Sequence, residues 1–351
     1  MCKTYDCMGI ALAVVTVLLL AFGNFCCNYF CIFYWYFESN PDNQLLYGLP
    51  LTKLGTLAFL FFNYLCLLSL IAHWRAAWCD PGSVPKTKEA PGGMEPDRVK
   101  FCNKCELNWK PERAHHCKEC GKCVYKMDHH CPWVNNCVGV KNLKFFLQFV
   151  MYTAIAAAFL VLMMLVSFFQ LMTSKSKSHT QKDGYVWAFI LCILAFIEGI
   201  LFAFFCFELL QEQFEAIEVN QTYIDDMKEL FGRPLSLTDN LTMCLGHDWK
   251  WWLIPTTPCL SVNYLEKMYT LKQIKKLKDF EEEDYDADRK LFAAEFVKSR
   301  REKRIVKILF VGFTALWFFL IRYYSQEYFE GKFTLLGLWE QMTTFSKPPI
   351  A

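Results

Sequence analysis

Four stretches of this chain lack the alternation of polar and apolar positions that marks a half-buried helix or strand. Residues 8–37, 54–71, 145–172 and 185–210 are apolar on every face. Each approaches or exceeds the roughly 20 helical residues needed to cross a bilayer. Their main polar interruptions are Asn24 and Asn28 in the first run and Glu198 in the fourth. The pattern predicts an all-α polytopic membrane protein with a four-helix transmembrane core. An ionisable residue inside a span is a functional candidate by default. Glu198 is such a candidate, but a structural pairing with Asn63 or another polar group between helices, or a place near the far interface, accounts for it equally.

Between the spans the pattern changes. Asp80-Pro81-Gly82 stops the second helix, and the prolines and glycines that follow make the chain irregular to about residue 96. The next segment shows no long strand or helix period and reads as short hairpins and loops. This divides the chain into spans one and two (8–78), a cysteine-rich module (79–144), spans three and four (145–211) and a C-terminal region (212–351). In that last region a polar helical stretch runs from Glu212 toward Leu230. Trp249, Trp251 and Trp252 suit either the lipid headgroup layer or a small core. Residues 265–304 read as a charged, solvated helical tail. A final apolar run, 308–321, has 14 uncharged residues, about 21 Å of helix against a hydrocarbon core of about 30 Å. It is expected to be a re-entrant, surface or bundle-packed helix rather than a fifth span.

Charge orients the layout. Thirteen Lys and Arg lie between Arg75 and Lys144, and none lies between Glu38 and Thr52. The positive-inside rule puts the cysteine-rich module and both termini in the cytosol, although Lys175, Lys177 and Lys182 fall on the far side. The near balance of 37 Lys and Arg against 35 Asp and Glu gives no reason to expect nucleic acid as a partner.

Seven of the eighteen cysteines fall between Cys102 and Cys137, together with His115, His116, His129 and His130. In a reducing cytosol disulfides are disfavoured, and paired cysteines two residues apart supply adjacent corners of tetrahedral zinc sites. Two sites of three Cys and one His each leave one cysteine and two histidines over for chemistry. Spacing alone does not divide the ligands. Metal would supply folding energy that a small loop-rich module lacks.

Asp128-His129-His130-Cys131 followed by Pro132-Trp133, within the spaced run from Cys102 to Asn142, resembles the membrane protein S-acyltransferases with an Asp-His-His-Cys motif. Asp80-Pro81-Gly82 is similar to that family's motif after the second span, and the resemblance covers about residues 8–255. It implies a first structural zinc on Cys102, Cys105, His116 and Cys123, and a second on Cys117, Cys120, His130 and Cys137. Cys131 then remains as the nucleophile, with His129 as its base and Asp128 orienting His129. The implied reaction moves a long-chain acyl group, typically palmitoyl, from acyl-CoA to cysteines of membrane-associated proteins through an acyl-Cys131 intermediate. The acyl chain would lie among the spans, and Arg75, Lys141 and Lys144 are well placed in the sequence to meet the CoA phosphates. An ER or Golgi membrane is the location the resemblance implies.

Three departures stand out. Trp109 reads as a one-residue insertion that a loop should absorb. Thr222-Tyr223-Ile224-Asp225 stands where the family carries Thr-Thr-x-Glu, and Leu245-Gly246 where it carries Phe-Gly. They bear on how the C-terminal segment braces the active loop. The alternative reading is a membrane scaffold whose zinc module binds partners without transferring acyl groups.

Overall fold

The computed structural model describes residues 7–38, 53–86, 100–111, 113–173, 182–230, 232 and 235–258. The charged tail at 265–304 and the apolar run at 308–321 lie outside the described residues. Helix α1 is Cys7–Cys26, continued by wider π-type turns over Cys27–Glu38. Helices α2 (Lys53–Trp78), α3 (Leu143–Thr173) and α4 (Lys182–Glu218) follow. All four are long and apolar enough to cross a membrane, which makes this a multi-pass membrane protein. Two of them outrun their apolar stretches. Nothing between residues 71 and 78 or between 210 and 218 breaks a helix, so backbone hydrogen bonding carries α2 to the Pro81-Gly82 stop and α4 out to Glu218.

Helix α3 lies between α2 and α4. Close approach to α4 depends on Gly199, where an added Cβ would sit 2.9 Å from a Val161 methyl and 3.4 Å from the Ala157 carbonyl oxygen. Contact with α2 is made by Phe62 stacked on Phe159 and by the hydroxyls of Ser69 and Thr153, 2.7 Å apart. Between α1 and α2, the amides of Asn24, Asn28 and Asn63 bond one another at 3.0–3.1 Å. In hydrocarbon such polar contacts tie helices together, each contributing about 0.6 kcal/mol. Leu18, Leu60, Leu162 and Phe207 remain exposed, as apolar side chains that meet lipid do.

The cysteine-rich module is three antiparallel hairpins: β1 (Lys100–Cys102) with β2 (Asn108–Lys110), β3 (Ala114–Cys117) with β4 (Lys122–Tyr125), and β5 (His129–Cys131) with β6 (Asn136–Val138). Trp109 is not looped out. It lies in β2 opposite Phe101, and its side chain is buried against Val84, Tyr125 and Val140, because an indole gains more from this small core than from water.

The module is locked to the end of α2, whose last carbonyls have no helical partner. The Asn136 amide donates to the carbonyls of Ala76, Ala77 and Cys79, and Asn142 donates to Ala76 and Cys137. Gly139 passes so close to the Pro81 carbonyl oxygen that a Cβ would approach it to 2.6 Å. After α4, short helices α5 (Tyr223–Met227) and α6 (Leu237–Leu245) return under the module. Helix α6 ends at Gly246, whose φ of 97° suits glycine. The next segment runs along the first turns of α3, where Gln148 donates to the Trp252 carbonyl and Lys144 to the Thr256 hydroxyl. Trp249 and Trp251 are exposed rather than forming a core.

Candidate active site

Strand alternation sorts the chemistry of the hairpins. Successive side chains of a strand point to opposite faces, so in β5 His129 and Cys131 share one face and His130 takes the other. In β3, His116 likewise opposes His115 and Cys117. Register then sets His116 opposite Cys123 and His130 opposite Cys137.

Two Cys/His clusters result: Cys102, Cys105, His116 and Cys123, and Cys117, Cys120, His130 and Cys137. In each, the four donor atoms lie within 4.8 Å of one another. His116 Nδ1 is 3.6 Å from Cys102 Sγ, 3.2 Å from Cys105 Sγ and 4.0 Å from Cys123 Sγ. His130 Nδ1 is 3.6, 3.5 and 3.8 Å from the sulfurs of Cys117, Cys120 and Cys137. Corners of a tetrahedron with ordinary Zn–S and Zn–N bonds lie about 3.5–3.8 Å apart, so both donor sets fit a metal ion of that kind.

On the opposite face, Asp128 and His129 form an ordered pair. His129 Nδ1 donates to Asp128 Oδ2 at 2.8 Å. The same oxygen accepts from Gln213 Nε2 at 2.9 Å, and Oδ1 accepts from the Tyr223 backbone N–H at 2.8 Å. Burial alone would raise the Asp128 carboxyl, but these donors hold it well below the usual carboxylate range. For His129, burial alone would favour the neutral ring. Contacts with Asp128 and the Cys131 side chain prevail and raise its pKa to about 10. With Nδ1 committed to Asp128, Nε2 is the nitrogen left for Cys131. Edge contact with Phe146, ring centroids 5.2 Å apart, fixes the imidazole plane.

The brace behind this pair is a buried ionic cluster. Arg113, fully buried, donates from Nε and one terminal nitrogen to Asp225 Oδ2 at 2.9 and 2.7 Å, and also to the Asn220 carbonyl at 2.7 Å. Lys228 Nζ donates to His115 Nδ1 at 3.0 Å, so His115 Nε2 carries the hydrogen that Asp225 Oδ1 accepts at 3.1 Å. Thr222 and Asp225 form a reciprocal cap on α5, which presents the Tyr223 N–H to Asp128. The departures at Tyr223 and Asp225 therefore leave a brace in place: the contact to Asp128 comes from backbone, and the shorter acid reaches the arginine. Burial alone would raise the Asp225 carboxyl, but Arg113 and then His115 hold it down at about 2.

Cys131 and His129 open onto a cavity of about 260 Å³ among the four helices. Near the cysteine it is lined by Trp133 and Phe146, and at its remote end by Gly23, Phe62, Leu160 and Glu198. Asn63, an alternative partner for Glu198, spends its amide on Asn24, Asn28 and the Phe59 carbonyl. Arg75, Lys141 and Lys144, the basic residues expected to meet the CoA phosphates, each contact or are buried in the protein. Arg75 bonds Thr257 and stacks over Phe145, Lys144 is buried, and Lys141 lies 3.7 Å from Asp80. Gln213, Arg113, Asn136 and Asn142 were not singled out from sequence, where an isolated Gln, Arg or Asn carries no signal.

A family model described as DHHC palmitoyltransferase matches residues 95–230. Palmitoyltransferase ZDHHC3 of Homo sapiens is 34% identical over 257 residues, covering 66% of this chain and 80% of that protein. ZDHHC3-A of Danio rerio is 34% identical over 255 residues, covering 66% and 76%. Probable protein S-acyltransferase 12 of Arabidopsis thaliana is 31% identical over 222 residues, covering 58% and 75%.

Proposed function

This chain belongs to the DHHC palmitoyltransferase family and is an acyltransferase that palmitoylates protein cysteines with acyl-CoA as donor; from that premise we propose that Cys131 carries the acyl group, with His129 as its base and Asp128 holding His129. The observation that supports this most is the shared β5 face, which sets Cys131 beside a histidine already oriented by a carboxylate and at the mouth of an apolar cavity.

The reaction has two steps. His129 Nε2 accepts the Cys131 thiol proton, and the thiolate attacks the acyl-CoA carbonyl carbon. The tetrahedral intermediate collapses, CoA leaves as its thiolate, and that sulfur takes the proton back from His129. A substrate thiol then gives its proton to His129 and attacks the acyl-Cys131 carbonyl. Cys131 leaves and is reprotonated. Asp128 keeps the imidazole in the tautomer that accepts at Nε2 and stabilises the imidazolium. Two zinc ions would be held by the two Cys/His clusters. Their chemistry is structural: four protein ligands close each site and fix the loop bearing His130, hence Cys131. Lys and Arg distribution supports a cytosolic module and cytosolic termini, and family resemblance supports an ER or Golgi membrane.

Incubation with palmitoyl-CoA and no acceptor should place a hydroxylamine-labile acyl group on Cys131, located by intact mass and peptide mapping. Cys131→Ser should abolish adduct and transfer with metal retained, and His129→Ala should slow adduct formation by about 100-fold or more. A full adduct on the Cys131→Ser protein would refute the assignment.

A further inference from the structure

Glu198 is not used by the transfer chemistry, yet it is among the most buried acids of the described residues, with 5% of its surface exposed. Its Oε2 atom is inaccessible and has no hydrogen-bonding protein partner among the described residues. It lines the cavity that begins at Cys131. Carboxyl groups at bilayer depth are rare and are ordinarily matched by a partner, because a buried acceptor left unmatched loses its hydration without compensation.

Its depth follows from helix geometry. Along α3 the lining runs from Phe146, against the His129 ring, to Leu160. Those 14 residues correspond to about 21 Å of rise, comparable to an extended palmitoyl chain. Gly23, Gly199 and Leu160 meet at the remote level: a Cβ on either glycine would stand 3.3 Å from the same Leu160 methyl. A Cβ on Gly23 would also stand 3.9 Å from Glu198 Oε2. Gly23 therefore packs directly against both Leu160 and the carboxyl. On α4 the lining begins at Glu198 and proceeds toward Cys131 through Phe202, Cys206 and Leu209. The acid therefore closes the end opposite the nucleophile, where the tail of a long acyl chain would arrive.

We propose that Glu198 recognises a hydroxyl at or next to the far end of the acyl chain, so that this enzyme accepts ω-hydroxylated long-chain acyl groups as well as plain ones. The inference rests on the acyl-Cys131 reading above. When the carboxyl turns about its last side-chain bond to present Oε2 to the cavity it lines, a terminal hydroxyl donates to it whether the carboxyl is protonated or not, replacing the partner the protein does not provide. In a cavity with an all-apolar end the same hydroxyl would lose its water and gain nothing. A methyl-ended chain leaves Oε2 unmatched. Discrimination is set where a site hydrogen-bonds a substrate hydroxyl, because the analogue lacking it strands a buried group.

The test compares Cys131 adduct formation from palmitoyl-CoA and from ω-hydroxypalmitoyl-CoA, using the full-length protein in nanodiscs. The quantity read is the ratio of kcat/KM for the hydroxylated over the plain chain. We expect this ratio to fall by about tenfold in Glu198→Leu, through slower use of the hydroxylated chain and faster use of the plain one, and to fall less in Glu198→Gln, which keeps an acceptor. An unchanged ratio in Glu198→Leu overturns the proposal, as does a hydroxylated chain that never loads the native protein while palmitoyl does. If neither chain loads the native protein, the acyl-Cys131 reading itself fails. Should Glu198→Leu not fold, Glu198→Met, similar in length and without an oxygen acceptor, takes its place: a ratio unchanged from native overturns the proposal.

Discussion

At the scale of single residues, the site depends on charges that burial would disfavour and that specific partners retain. Asp225 shows this most plainly. Its carboxylate neutralises the fully buried Arg113; removing one partner of such a pair costs about 3–5 kcal/mol, because the other charge is left uncompensated. Asp225→Ala should therefore lower thermal stability and, by releasing the Tyr223 N–H from Asp128, slow transfer beyond the loss of folded protein. Asp225→Glu should restore part of both, read as Tm and as activity per folded molecule. The sign of the pH effect follows from the depressed pKa. A carboxyl held at about 2 when folded, against about 3.9 unfolded, adds stability that is fully present above the unfolded value. That contribution is lost as pH falls through the folded one. Acid melts of native and Asp225→Asn protein should converge between about pH 4 and pH 2. Parallel curves would mean the carboxylate contributes nothing.

At the scale of elements, pairs of strands and pairs of helices each perform one task. Strand β5 separates His130, in a Cys/His cluster, from His129 and Cys131, which face the cavity, by its two-residue period alone. All four long helices line the cavity, and small residues decide how far it extends. Gly23 is the sensitive position, since even a Cβ there contacts Leu160. Gly23→Leu should fill the remote end and displace the last methylenes of a long chain. At about 0.8 kcal/mol per buried CH2, each excluded methylene changes relative preference about fourfold. Competition between myristoyl-CoA and palmitoyl-CoA should therefore move toward the shorter chain by more than tenfold. An unaltered chain-length profile would show that the chain does not reach Gly23.

At the scale of the whole molecule, a small hairpin module must be rigid although its apolar clusters are modest. Purified protein should contain two zinc ions per chain by elemental analysis. Chelation, or His116→Ala, should unfold the module and abolish transfer, whereas Cys131→Ser should leave the metal content unchanged. One ion or none in a folded, active sample would sink the two-site reading. The module is also fastened to the membrane core at the end of α2 by Asn136 and Asn142, and underneath by the segment after α4. Cys131 is thereby held at the mouth of the cavity.

The spans and a Cys/His-rich module of short hairpins and loops were legible along the chain, because bilayer crossing and metal-ligand spacing are each written in local sequence; that the hairpins number three was not. The motif Asp128-His129-His130-Cys131 was legible for the same reason: its neighbours in sequence are neighbours in space. Other features depended on folding. The Arg113–Asp225 cluster joins residues more than a hundred positions apart, and Gln213 reaches Asp128 from the far side of two spans. Trp109 looked like a looped insertion until a core existed to receive it. Glu198 was visible as an anomaly within a span, but only the packing of α1, α3 and α4 showed that it faces a cavity instead of another helix. Periodicity and spacing record what a residue's neighbours along the chain require; burial and the partners of a charge belong to contacts that exist only after distant segments have met.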